Sequence, residues 1–182
     1  MLRRVAVVGT TGAGKTTFAR ELAARLGVPH IELDALFHGP NWTPASPEVF
    51  RARVSEAIAG DGFVVDGNYS IVRDIVWPRL DLVVALDYPF PLIFAQLLRR
   101  TVSRSITREP LWNGNRESFR LSFASRESIL LWALTSHRRH TRQLPSYVAQ
   151  YRVPLVRLRS RGEAGRWLAS LTASVLPPSA TS

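Results

Sequence analysis

Gly9-Thr10-Thr11-Gly12-Ala13-Gly14-Lys15-Thr16 satisfies the phosphate-binding pattern G-x-x-x-x-G-K-[ST] at every position. Its flanks match as well. An apolar run, Val5 to Val8, precedes it, and Phe18, Leu22 and Leu26 follow at intervals of four, the period of a helix face, until Gly27 offers a stop. Strand, glycine-rich turn and helix in that order make the stretch a P-loop, and they open an α/β chain.

Gly9, Gly12 and Gly14 let the backbone N–H groups of the turn, those of Thr10, Thr11 and Ala13 among them, converge on phosphate oxygens with no Cβ in the way. Lys15 would reach the β and γ phosphates of ATP as a mobile point charge. The Thr16 hydroxyl would bind Mg²⁺, Thr17 supplies a weaker second hydroxyl, and the helix N-terminus adds its dipole. Lys15 is the only lysine among 24 basic residues, so a lysine here runs against a strong bias toward arginine.

A chain of 182 residues fits one domain with a substantial core, expected over 1–176, with a disordered tail over 177–182. The absence of cysteine excludes disulfides and thiolate chemistry and is compatible with a cytoplasmic setting. Val5 to Val8 is too short for the apolar part of a signal peptide, and Ile129 to Leu134 falls far below the roughly 20 residues that span a bilayer, so no membrane association is expected. A formal charge of +10 points to phosphorylated ligands, nucleic acid or anionic lipid, and its location discriminates among them. Ten arginines against three glutamates lie between Arg99 and Arg142, and no aspartate follows Asp87.

Taken in order, the first strand is expected near Arg4 to Val8, a helix from Lys15 to Leu26, and a second strand from Val28 to Asp34. A loop rich in proline and aromatics follows, Ala35 to Pro47. Ser46 as N-cap, Pro47 in the first turn and the spacing Phe50, Val54, Ile58 predict a helix that Gly60 ends. Further strands are expected at Phe63–Asp66, Asp81–Asp87 and Val153–Leu158, with helices over Leu92–Arg104, Glu117–Gln143 and Glu163–Leu171. Strands alternating with helices predict an open, mostly parallel three-layer α/β sheet that takes ligands at the carboxyl edge of its strands. Asp34, Asp66 and Asp87 each fall at the C-terminal end of an expected strand.

The N-terminal P-loop, Asp66-Gly67, Leu86-Asp87-Tyr88-Pro89 and the arginine-rich stretch before the last strand resemble the nucleoside monophosphate kinases, of which adenylate kinase is the best known. Leu33-Asp34-Ala35-Leu36-Phe37, the Pro40-Asn41-Trp42 turn, Val65 to Ser70 and Leu111 to Glu117 are similar, more narrowly, to the adenylate-kinase-related proteins labelled DNA topology modulation protein (FlaR-like). The likeness runs to about Leu171. It implies a five-stranded core of order 2-3-1-4-5, a substrate-binding segment over 35–62 and a lid over 99–142.

On that order the third strand neighbours the first, which sets Asp66 beside the P-loop as the carboxylate that, with Thr16, would hold Mg²⁺. Asp34 would accept a proton from an attacking hydroxyl or cap the following segment. Arg100 with Arg104, and Arg138 with Arg142, are pairs four apart that a lid would close over the phosphates, excluding water. Arg161 sits where the resemblance puts an adenine contact. One departure matters. Adenylate kinases follow the strand 3 Asp-Gly with Phe-Pro-Arg, whose arginine grips the acceptor's phosphate, whereas this chain has Asn68-Tyr69-Ser70, and its next arginine is Arg73. Asn68, Tyr69, Arg73, Phe37 and Trp42 therefore form the expected acceptor pocket.

These readings make the chain an ATP- and Mg²⁺-dependent phosphotransferase for a small hydroxylated or phosphorylated acceptor, nucleotides included, as monomer or homodimer. The competing reading is a nucleotide-regulated nucleic-acid-binding protein. It is not favoured, because the basic excess lies in the lid-like stretch and no nucleic-acid-binding signature accompanies it.

Overall fold

Val5, Ala6, Val7 and Val8 are all buried to 1% exposure or less, which requires a strand covered on both faces. The computed structural model, which describes residues 2–107 and 143–173, makes this strand β1 (Arg4–Gly9), the centre of a five-stranded sheet. The others are β2 (His30–Glu32), β3 (Phe63–Asp66), β4 (Leu82–Leu86) and β5 (Leu155–Leu158). All pair in parallel, in the order β2-β3-β1-β4-β5. The register sets Val7 beside Asp66, Gly9 beside Leu86 and Glu32 beside Asp66, so the carboxyl ends of β1, β3 and β4 share one edge.

The period of two along β1 divides the core. Ala6 and Val8 face a layer containing Phe50 and Val54 of α3 (Pro47–Ala57), together with Val72, Trp77 and Leu144. Val5 and Val7 face the opposite layer, with Phe18 and Leu22 of α1 (Lys15–Leu26) and Ile93, Ala164 and Leu168. Full burial of a side chain such as Phe50 contributes roughly 1.5–3 kcal/mol. Gly27, left-handed at φ 63°, ends α1 by donating its N–H to the carbonyls of Ala23 and Ala24. Ser46 caps α3, its side chain accepting from Val49 N at 3.4 Å.

Two segments depart from the sequence reading. The second strand stops at Glu32, and Leu33–Phe37 turns into a short helix, α2, so Asp34 lies in a helical first turn and not at a strand end. The cause is a missing partner. β2 pairs only with β3, which finishes at Asp66, and Gly67 then turns away at φ 119° with Leu33 packed directly against it. Residues 70–79, which show no helical or strand period, fold as two 3-10 turns around α4 (Arg73–Val76). Between them Arg51 holds the segment, pairing in bidentate fashion with Asp74 at 2.7 Å and donating to the Ile71 carbonyl.

Helix α5 spans Phe90–Thr107, a helix over 143–151, α6, leads toward β5, and α7 (Arg161–Ala173) closes the chain's described part. Among the described residues no helix is long and apolar enough to cross a membrane. The expected helix over 117–143 lies outside the described residues except for Gln143, and the tail over 177–182 lies outside them altogether.

Candidate active site

The P-loop takes its shape from its glycines. Gly9 at φ 156° runs so close to β4 that a Cβ there would stand 2.8 Å from the Leu86 carbonyl oxygen, whereas a Cβ on Gly14, at φ 85°, would meet nothing within 4 Å. One glycine is needed for packing, the other for an open concavity. Ala13 N donates to the Thr10 carbonyl at 3.1 Å and closes the turn, and Lys15 Nζ donates to the same carbonyl at 3.3 Å, folding the ammonium back over the loop.

At the start of α1, Thr16 Oγ1 donates to Asp66 Oδ2 at 2.6 Å. Fifty positions separate the two residues, and parallel pairing of β1 with β3 brings them together. Asp66 is 7% exposed. Burial pushes its carboxyl above the ordinary range, against the pull of Lys15 and the Thr16 hydroxyl, and the nearby Asp34 charge raises it further. A hydroxyl and a carboxylate side by side, both hard oxygen donors, suit Mg²⁺. No group of three or more His, Cys, Asp or Glu gathers around a metal position among the described residues, so such an ion would be completed by nucleotide oxygens and water.

Asp34 lies next to this pair. Tyr69, just past β3, donates its hydroxyl to Asp34 Oδ1 at 2.6 Å. Burial and the Asp34 carboxylate hold that hydroxyl protonated far above its usual range. The Tyr69 ring is fixed in turn by Phe37, at 5.0 Å between centroids, and Phe50, at 5.2 Å. Phe37 thus packs against the core cluster, while Trp42, at φ 57°, packs edge-on against His38. Arg73 Nε donates to Asn68 Oδ1 at 3.2 Å, and its guanidinium lies 3.7 Å over the ring of Tyr147.

Lys15, Thr16, Asp66, Asp34, Asn68, Tyr69 and Arg73 therefore gather on one sheet edge. The remaining expected residues fall otherwise. Thr17 is exposed on the first turn of α1; Arg161 is exposed at the head of α7, near enough to Tyr88 to act on its hydroxyl. Arg100 and Arg104 lie along α5, and Arg138 and Arg142 are outside the described residues. Asp87, expected as a turn residue, accepts from Arg157 at 3.2 Å. Two residues escaped the sequence reading. Arg157 shares a cleft with Gly9, Thr10, Asp87 and Leu144, and Tyr147 carries Arg73. A charge inside the otherwise apolar strand Val153 to Leu158 was the available signal for Arg157; Tyr147 offered none.

No family model matches the chain. It is 35% identical over 69 residues to the cytidylate kinase of Nitratidesulfovibrio vulgaris, an alignment covering 37% of this chain and 30% of that protein. It is 29% identical over 136 residues to the shikimate kinase of Synechococcus elongatus, covering 62% of this chain and 70% of that one. The chain thus spans under a third of the length of the first relative. The crystal structure of shikimate kinase from Bacteroides thetaiotaomicron matches with a TM-score of 0.55 at 18% identity, over 96% of this chain and 99% of that one. The fold is the P-loop α/β fold of that kinase, and the relatives named are small-molecule kinases.

Proposed function

We propose that the chain is an ATP- and Mg²⁺-dependent kinase that transfers the γ-phosphoryl group to a hydroxyl of a small acceptor, a nucleotide or another hydroxylated or phosphorylated compound. The observation that carries this reading is the 2.6 Å contact between Thr16 and Asp66 beside an open glycine cradle. An ion held there when nucleotide is bound would neutralise charge on the phosphate chain. The turn from Gly9 to Thr16 binds and orients the phosphates, and Lys15 stabilises the equatorial oxygens during transfer. Asp34, held by Tyr69, orients the acceptor hydroxyl and takes its proton. Asn68, Tyr69, Arg73, Phe37 and Trp42 bound the acceptor, Arg161 reaches the base, and Arg100, Arg104, Arg138 and Arg142 close over the phosphates. Residues 35–62 serve as the acceptor segment and 99–142 as the lid of a single domain.

The finer likeness to FlaR-like, adenylate-kinase-related proteins belongs to the same proposal and rests on the sequence motifs around Asp34, Asn68 and Trp112. The test is a screen of nucleotides, nucleosides and hydroxylated acids by ADP release, with and without Mg²⁺. Metal-dependent transfer to one class is expected. Absence of binding to any magnesium nucleoside triphosphate overturns the reading, and DNA affinity that falls steeply with salt and survives Lys15→Ala supports the nucleic-acid alternative in its place.

A further inference from the structure

Leu155, Val156 and Leu158 make β5 an apolar edge strand, and Arg157 sets a guanidinium within it. The register places Arg157 beside Ala85 of β4, and Ala85 beside Val8 of β1. A side chain as small as Ala85 leaves room across β4 for the arginine stem. The guanidinium thereby shares a cleft with Gly9 and Thr10 of the P-loop, Asp87 and Leu144. Leu144 of α6 is itself buried and keeps water from that side, so a charge in the cleft is felt more strongly.

Two cations therefore meet at Thr10. Lys15 Nζ donates to its carbonyl at 3.3 Å, and Arg157 adjoins it from β5. The lysine of this pattern reaches the β and γ phosphates, so Thr10 marks the γ end of a bound triphosphate. The hold of Asp87 on Arg157 is slight by comparison with other pairs in the protein. Arg51 and Asp74 join through two nitrogens and two oxygens, both contacts at 2.7 Å, and Arg4 gives Asp81 two nitrogens, at 2.7 and 3.2 Å. Among the described residues Arg157 gives Asp87 one nitrogen at 3.2 Å. A guanidinium can exchange such a contact for two oxygens of a phosphoryl group, which match its planar fork. The Asp87 side chain is 24% exposed, so water can receive its carboxylate when the arginine leaves.

We propose that Arg157 is a further catalytic residue: with nucleotide bound, its guanidinium leaves Asp87 and grips oxygens of the γ-phosphoryl group alongside Lys15. That role deepens the kinase reading and rests on it. During transfer the acceptor oxygen bonds to the γ-phosphorus as the bond from that phosphorus to the β,γ-bridging oxygen breaks. ADP leaves with the electron pair, and the acceptor's proton passes to Asp34. Arg157 gives up no proton; it offsets charge on the oxygens that stay with the phosphorus.

The experiment measures, by calorimetry on the full chain, the affinities for Mg²⁺-ADP and for Mg²⁺ with the β,γ-imido analogue of ATP. Arg157→Gln should weaken the analogue at least about tenfold, the scale of a lost hydrogen bond to a charged group, and leave ADP within about twofold. Asp87→Asn breaks the same ion pair but keeps the guanidinium, so it should bind the analogue as tightly as the wild type or more so. With an acceptor found in the screen, kcat of Arg157→Gln should fall by about 10²-fold or more while KM for the acceptor holds. Equal losses of ADP and analogue in Arg157→Gln, or a matching loss in Asp87→Asn, would mark the pair as a structural tie between β4 and β5 and overturn the proposal. Unchanged analogue affinity or unchanged kcat overturns it as well. Should Arg157→Gln not fold, Arg157→Lys takes its place, keeping the charge without the fork: a selective loss of the analogue is again expected, and binding like that of the wild type sinks the role. If neither nucleotide gives heat with the wild type, the kinase reading falls and this role with it. Heat with both, and no selective loss in the variants, removes this role alone.

Discussion

Tyr69 donates its hydroxyl to Asp34 over 2.6 Å, binding the segment after β3 to the short helix after β2. The Phe37 and Phe50 rings hold the Tyr69 ring without help from its oxygen, so the hydroxyl can be removed with the packing kept. Tyr69→Phe should fold normally and lower kcat by about tenfold or more, the scale of a hydrogen bond to a charged group. Affinity for Mg²⁺-nucleotide should be unchanged, because Thr16 and Asp66 are untouched. Since burial and Asp34 keep the Tyr69 hydroxyl protonated far above its usual range, it contributes no alkaline limb to the wild-type rate profile. Steady-state kinetics with a calorimetric measure of nucleotide binding decides it. A loss of nucleotide affinity equal to the loss of kcat would count against an acceptor-side role.

Asp66 links stability to pH. Burial raises its carboxyl, against Lys15 and Thr16, so the folded chain keeps that proton to higher pH than the unfolded chain does. Stability is therefore lost as pH rises from the ordinary value near about 3.9 through the raised folded value, and the whole penalty persists above it. In metal-free, nucleotide-free protein, Asp66→Asn should raise the melting temperature at neutral pH by about 2 °C or more. The gain should shrink as pH falls and vanish below about 3.9, where the wild-type carboxyl is protonated in both states. The same variant should lose Mg²⁺-dependent transfer more than metal-free nucleotide binding. A lower melting temperature at neutral pH would contradict the assignment of burial as the dominant influence.

Much of this arrangement is legible in the sequence. The P-loop pattern and the apolar run Val5 to Val8 fixed the first strand, turn and helix, and Phe63–Asp66 emerged with the bounds expected. What failed depended on neighbours distant in sequence. Leu33 and Asp34 continue an apolar alternation, so nothing local reveals that β2 loses its partner at Asp66 and coils into α2. Arg73 was named only as the next arginine after Asp66-Gly67, yet its orientation is set by Tyr147, 74 positions later, in a stretch between the expected helix and the last strand to which the sequence reading assigned no element. Pairings across the sheet edge, not local preference, completed the site.

Gly9 and Gly14 separate packing from conformation. A Cβ at Gly9 would lie 2.8 Å from a backbone oxygen that cannot move without shifting β4, so Gly9→Ala should cost several degrees of melting temperature or prevent folding. Gly14 has open space around it, and Gly14→Ala faces only left-handed strain of about 1–2 kcal/mol. Its methyl would sit in the phosphate cradle, so nucleotide affinity should fall further than stability does. Melting curves with and without Mg²⁺-ATP test both variants. Equal destabilisation of the two would refute the distinction.

Lys15 folds its ammonium over the loop onto the Thr10 carbonyl at 3.3 Å, a contact that a strongly hydrated point charge on a flexible stem can exchange for phosphate oxygens. Truncation removes that charge and leaves the turn, because Ala13 to Thr10 and Thr16 to Asp66 close it independently. Lys15→Ala should therefore change the melting temperature of the nucleotide-free protein by no more than about 2 °C, yet reduce phosphoryl transfer by about 10²–10³-fold, the cost of losing one oxyanion donor. Lys15→Arg keeps the charge on a planar fork too bulky for the same approach and should recover only a small part of the rate. Full turnover in Lys15→Ala would show that the ammonium does not act on the transferring group, and the assignment of the turn as a catalytic phosphate cradle would fall with it.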